Sequence, residues 1–272
     1  MGQMHDDAIW RVTDGRPDAF QRELILCPPP DGPIVAMNND VGLQIAAGAS
    51  GLDLSGRLGE SPITLQTGAI SFAYPGVMNA QNVAVELGPQ DTASKFSLSQ
   101  LNVSFSEVIV GDFANATVLM EQIPMDIVDG TGNWSLADGV LALTDGSLKV
   151  LDRQEEDRFE PLIARDATLT LANNLMTAQV DLRNRESDRI VTQVQMAHDL
   201  DSGIGSADLL VENLRFDDGL QPEQLSNLSK GVIALADGVI KGFGRIDWNG
   251  DEISSSGTFS SDGSILPQHL VR

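Results

Sequence analysis

Between Leu175 and Arg183 the chain alternates without a break: Met176, Ala178, Val180 and Leu182 are apolar, and Thr177, Gln179, Asp181 and Arg183 between them are polar. A period of two places the sets on opposite faces of an extended strand, whereas a helix of about 3.6 residues per turn would scatter both around its circumference. The segment is therefore predicted to be a strand with one wet and one dry side. The run before it repeats the pattern, with Ala167, Leu169 and Leu171 set against Thr168 and Thr170. Asn173 and Asn174 between them tolerate the left-handed backbone of tight turns, so the two runs form a hairpin. Similar units follow from Ile190 to His198, through a turn at Asp201-Ser202-Gly203, and from Asp208 to Phe216. Elsewhere short alternating runs are separated by Gly, Asn and Asp roughly every 8 to 14 residues, which predicts a mainly β, antiparallel meander.

Two stretches depart from this pattern. Cys27-Pro28-Pro29-Pro30 and Asp31-Gly32-Pro33 remove backbone donors, so residues 1–37 are expected to be irregular, with 18–26 either a short helix or an edge strand. Leu220 to Leu228 carries Pro222 beside Glu223, with apolar residues at 220, 225 and 228, and predicts one short helix over 220–229. Residues 38–262 otherwise read as one repetitive β region. Leu136-Ala137-Asp138-Gly139-Val140 echoes Leu235-Ala236-Asp237-Gly238-Val239, each expected to be a turn entering a strand. From Gly238 onward Ile240, Ile246 and Trp248 share a strand face with Gly242 and Gly244, which suggests a bend or a close backbone approach.

Composition narrows the class of function. The 272 residues are 42% hydrophobic, enough for a sizeable core, and 39 acidic against 17 basic residues give a net charge of −22. A field of that sign repels nucleic acid and disfavours adsorption to anionic lipid through a polybasic patch. It does not oppose the acceptance of single lipid molecules. Cys27 is the only cysteine, so no internal disulfide forms, and it lies beside prolines with no base nearby. No run of about 18 apolar residues occurs, and Asp6, Asp7, Asp14 and Asp18 break the basic-then-apolar order of an export signal. His5, His198 and His269 lack metal-ligand spacing; Asp199, Asp201 and Asp208 read as a polar turn, and Glu155, Glu156 and Asp157 as a solvated loop. No catalytic residue, metal or cofactor is nominated.

The C-terminal third carries an extended, ordered pattern: Leu214-Arg215-Phe216, Leu220-Gln221-Pro222-Glu223-Gln224-Leu225, Gly231-Val232-Ile233, Ala236 to Ile240, Gly242-Phe243-Gly244-Arg245-Ile246-Asp247-Trp248, and Ser254-Ser255-Ser256-Gly257-Thr258-Phe259. It resembles the YdbH family of AsmA-like envelope proteins. Residues 38 to 210 share the repetitive β texture of that family. The resemblance implies a segment of a periplasm-spanning protein, anchored in the Gram-negative inner membrane by parts absent here. Its curled sheet would carry an apolar groove along which phospholipids pass to the outer membrane, with a small outer-membrane lipoprotein as partner. Residues 263–272 read as a divergent polar tail, consistent with truncation.

On this reading the apolar positions expected to line the groove and meet acyl chains are Leu169, Leu171, Val180, Leu182, Ile240, Ile246 and Trp248. Two other classes compete. A β-solenoid or sandwich serving as an adhesin or structural module would share the turns and the acidic charge, and would cover the same face with protein. A carbohydrate-active β enzyme would need an acid pair across a cleft.

Overall fold

The computed structural model describes residues 34–267, apart from the short stretches 40–41, 50–51, 59–60, 74–75, 89–92, 120–124 and 250–251. Cys27, the prolines around it, residues 18–26, His5 and His269 therefore lie outside the described residues. The strands are β1 (Ile34–Asn39), β2 (Gly42–Ala49), β3 (Leu52–Leu58), β4 (Ser61–Thr67), β5 (Ala69–Ala73), β6 (Val77–Leu87), β7 (Ser94–Ser104), β8 (Ile109–Leu119) and β9 (Met125–Ala137). They continue as β10 (Val140–Asp152), β11 (Leu162–Ala172), β12 (Leu175–Asn184), β13 (Ile190–Asp199), β14 (Ile204–Phe216), β15 (Ile233–Asn249), β16 (Glu252–Ser261) and β17 (Ser264–Pro267).

All described pairings are antiparallel and join sequence neighbours into one open meander. Three long strands are only locally interrupted. β2 and β3 pair in one continuous register with β5 and β4, which in turn both pair with β6. β16 and β17 likewise pair together along β15, so Ser264–Pro267 prolongs the edge strand instead of leaving the sheet. The Asn173-Asn174 hairpin forms as expected, with both residues at positive φ. The echo at 136–140 and 235–239 does not hold structurally. Asp138-Gly139 is a two-residue turn, but Asp237-Gly238 lies inside the 17-residue strand β15, where β14 and β17 pair with its flanking backbone.

The strands from β6 to β11 share a mid-strand irregularity that sequence periodicity alone did not separate from ordinary alternation. Asn82, Asn115, Asp129, Asp145 and Asp166 each sit mid-strand at positive φ, between 50° and 58°. Each is flanked by a switch in parity: Ala80 and Val83 both face the apolar side of β6, as do Leu143 and Gly146 in β10, and Ala164 and Ala167 in β11. One extra residue per strand, aligned across neighbours, is an array of β-bulges, which bends strands and increases their twist. The bend closes toward the apolar side. Ala80, Val83, Gly130, Gly146 and Ala167 are buried there although only the sheet surrounds them. A β-carbon on Gly130 would lie 2.8 Å from Ala116 Cβ, and one on Gly146 3.0 Å from Ala167 Cβ. The sheet is thus creased along a line that crosses β6 to β11.

A second device closes one side. Between β14 and β15, residues 217–232 form two three-residue 3-10 turns, Pro222–Gln224 and Asn227–Ser229, in place of the single helix expected over 220–229. Pro222 contributes no amide donor, and Ser226 between the turns is extended (φ −139°, ψ 124°), so no continuous i to i−4 ladder can form. Leu220, 0% exposed, plugs into Leu214, Phe216 and Ala236, with Val191, Leu225 and Ile240 around them. The Gln221 side chain accepts from Ala236 N (2.8 Å) and donates to Ala236 O (3.0 Å), while Asn184 Nδ2 donates to Gln224 O (2.9 Å). At the far end Glu160 N donates to Leu225 O (2.9 Å), Ser226 Oγ to Arg158 O (2.8 Å) and Asn227 Nδ2 to Asp157 O (2.7 Å). The segment is a strap tying β15 to the β10–β11 loop.

Two stability measurements follow. Asp166 makes no side-chain bond that would confuse the result, so in urea denaturation Asp166→Gly should leave the chain as stable or better, and Asp166→Val should cost about 1–2 kcal/mol for the left-handed backbone. Leu220→Ala empties a closed site and should cost about 2–5 kcal/mol.

Candidate functional site

Register places the side chains. Directly paired residues of an antiparallel sheet share a face, so one row can be followed strand by strand. From β5 to β16 it reads Phe72, Met78, Val103, Gly111, Trp134, Leu143, Leu169, Ala178, Met196, Ala207, Ile246 and Ser255. Eleven of these twelve positions are apolar or glycine, and at roughly 4.8 Å between strands the row extends for about 50 Å. The opposite face is more polar: Thr168, Gln179, Gln195, Asp208, Arg245 and Ser256 form one of its rows, though Val77, Val110, Leu210 and Phe243 are exposed on it. Its charges pair along the surface, with Arg245 bonded to both Asp208 (2.8 Å) and Asp247 (2.9 Å), which holds its guanidinium above its ordinary pKa.

All seven positions read from sequence fall on the apolar face. Leu169 and Leu171 of β11, Val180 and Leu182 of β12, and Ile246 and Trp248 of β15 belong to adjacent rows, among them Leu171, Met176, His198, Gly205 and Trp248. Ile240 shares the face but differs in surroundings, because it packs against the cluster beneath the strap. The face therefore has two parts. At the strand ends away from the 173–174 and 200–203 turns the strap lies on it; toward those turns Met176, Ala178, Val180, Ile246 and Trp248 are half-buried.

Three features were not read from sequence. The crease is one; its signal was a polar pair ending in Asn or Asp that breaks the alternation, as at Gln81-Asn82, Thr144-Asp145 and Arg165-Asp166. The second is a set of cross-strand partners in which an aromatic faces a glycine: Gly111 with Trp134, Gly132 with Phe113, Gly205 with Trp248 and Gly242 with Phe259. The third is that Trp248 Nε1 donates to His198 Nδ1 (3.0 Å), two strands away, so the indole lies across the intervening Gly205.

The polar groups considered for chemistry are engaged in turns and ion pairs. Asp199 Oδ1 accepts from Ser202 N (2.8 Å), Ser202 Oγ (2.9 Å) and Asp201 N (3.0 Å), which holds its carboxyl below the ordinary range, and Asp201 accepts from Asn174. Glu155, Glu156 and Asp157 occupy the β10–β11 loop. A shallow depression of about 460 Å³ lies on the opposite face, bordered by Asn102, Asp112, Asn133 and Thr144 together with Val77 and Val110.

The fold is an antiparallel meander sheet, not closed into a barrel, in which one face carries an apolar row from strand to strand. The comparison with known families agrees with that class: the model of YdbH-like proteins, described as intermembrane phospholipid transport protein YdbH, matches residues 15–265. The chain belongs to this family, whose members are phospholipid transport proteins. No curated protein and no solved structure matches it.

The strap's far anchor has a pH signature. Asp152 accepts from Arg158 Nε (2.8 Å) and Nη2 (2.9 Å), and from the backbone N–H groups of Arg158 (2.8 Å) and Gln154 (3.2 Å), which hold its carboxyl far below the ordinary range. A depressed folded-state pKa adds stability above the unfolded value and loses it as pH falls toward the folded one. The stability difference between the wild type and Asp152→Asn should be constant above about pH 5 and close as pH drops below about 4, measured by urea denaturation across that range.

Proposed function

We propose that this chain is a section of a periplasm-spanning conduit between the inner and outer membranes, holding phospholipid acyl chains in its trough while the headgroups stay in water. The observation that carries this reading is the row that is apolar or glycine at eleven of the twelve strands it crosses, most of it away from the strap. Each methylene moved from water to such a surface is worth about 0.8 kcal/mol. Successive strands offer nearly equivalent apolar positions, so a chain can move from one to the next without a deep minimum. Leu169, Leu171, Val180, Leu182, Ile246 and Trp248 are the contacts we assign to the open part, with Ile240 marking the boundary at the strap. No catalytic residue or cofactor enters this mechanism. In the full-length parent we place the anchor in the inner membrane and a small outer-membrane lipoprotein at the receiving end; the family's description supports the passage of phospholipid between membranes.

The test is photocrosslinking in cells. A benzophenone side chain at Val180 or Ile246 of the full-length parent should attach labelled phospholipid, and one at Gln179 or Arg245, on the opposite face, should not. Absence of label at both apolar positions in folded, exported protein would mean that another protein layer covers the face, as in a structural module.

A further inference from the structure

The four glycine–aromatic pairs all lie on the apolar face, at two stations along the trough: β8–β9 and β14–β16. At Gly111, Gly205 and Gly242 the ring occupies the space a β-carbon would take, at Gly111 together with the Asn102 carbonyl, and at Gly132 the ring stands in tight contact with it. A Cβ on Gly205 would come within 2.6 Å of Trp248 Nε1, one on Gly111 within 2.6 Å of Trp134 Cε2, one on Gly242 within 2.7 Å of Phe259 Cε1, and one on Gly132 within 3.2 Å of Phe113. The rings are therefore laid along the sheet. The bond from Trp248 to His198 fixes the direction, because the indole must pass over Gly205 to reach it. An aromatic covering a cross-strand glycine is a known way to protect a strand otherwise lacking a side chain. Here it has a second effect. An upright indole would fill much of the roughly 10 Å layer that a packed partner occupies over a sheet face, and in an open trough that layer is where an acyl chain has to lie.

We infer that these glycines are clearance residues: by keeping Trp134 and Trp248 flat, they turn the two widest side chains of the trough into platforms over which an acyl chain slides. The inference rests on the conduit reading and assigns its passage to particular residues. Gly244 is the internal control, since it shares the face and the strand with Ile246 but a Cβ there would meet nothing closer than 3.8 Å.

The experiment uses the 272-residue chain incubated with phosphatidylcholine vesicles whose acyl chains are brominated at mid-chain, followed by separation and mass spectrometry of protein-bound lipid. Gly205→Ala should retain its circular dichroism and lose bound lipid several-fold, Gly205→Ala with Trp248→Ala should regain it, and Gly244→Ala should match the wild type. In a chain keeping Trp248 as its only tryptophan, with Trp10 and Trp134 replaced by Phe, bromine should quench the fluorescence strongly, a readout that needs no glycine variant. Lipid on the wild type with Gly205→Ala unchanged, a loss that persists in the double variant, or unquenched Trp248 beside bound lipid would each overturn the clearance role while leaving the conduit intact. A wild-type chain that takes up no lipid would overturn both.

Discussion

Everything in this molecule depends on keeping alternation in phase across a bend. A strand keeps its apolar residues on one side and its polar residues on the other only while they alternate, and a bend made by inserting a residue reverses that assignment beyond it. Six consecutive strands solve the problem together. Each carries its extra residue at the same height, so Leu143 above the crease and Leu148 below it reach the same face, as do Leu101 and Leu98 in β7. Asn and Asp suit the turning positions because their short polar side chains tolerate the left-handed backbone and can bond locally. Asn115 Nδ2, for example, donates to Ser99 Oγ on the neighbouring strand (2.9 Å).

Concavity is maintained differently along the length of the sheet. From β6 to β11 the crease supplies it, and the residues crowded there are small: Ala80, Gly130, Gly146 and Ala167. The last mid-strand Asp at positive φ is Asp166 in β11, and the strap takes over from the loop that precedes that strand. It covers apolar residues that β13 to β15 would otherwise expose, and its underside is a small core of Leu214, Phe216, Leu220 and Ala236. The opposite strand ends stay open. The buried cluster beneath the strap and the half-buried apolar rows beyond it thus share one face.

The legible part of this architecture was the part written in period two. Met176 to Arg183 specified a strand, its wet side and its hairpin partner, and the seven apolar positions from Leu169 to Trp248 share one face. Composition did not reveal where that face would be covered. Leu220 looked like one stripe residue of a helix, whereas Pro222 and the extended Ser226 limit the segment to isolated turns whose backbone groups bond to distant partners. Asp237-Gly238 shows the limit of local motifs: the same Ala-Asp-Gly that turns the chain at 137–139 runs straight through β15, because pairing with β14 and β17 on either side outweighs turn preference. Cross-strand glycine–aromatic pairs were invisible for a related reason, since Gly111 and Trp134 are neighbours only once the register is known.

Sequence-neighbour pairing also has an evolutionary consequence. Each hairpin needs only the one before it, and the strap is the main long-range tie, joining residues 225–230 to 157–160. A sheet of this kind behaves as a one-dimensional array whose members can be gained or lost without rethreading the rest, as in other repeat architectures. Its length is then a quantity that duplication or deletion of hairpins can adjust by about 10 Å at a time, while the pairing of every remaining strand stays the same.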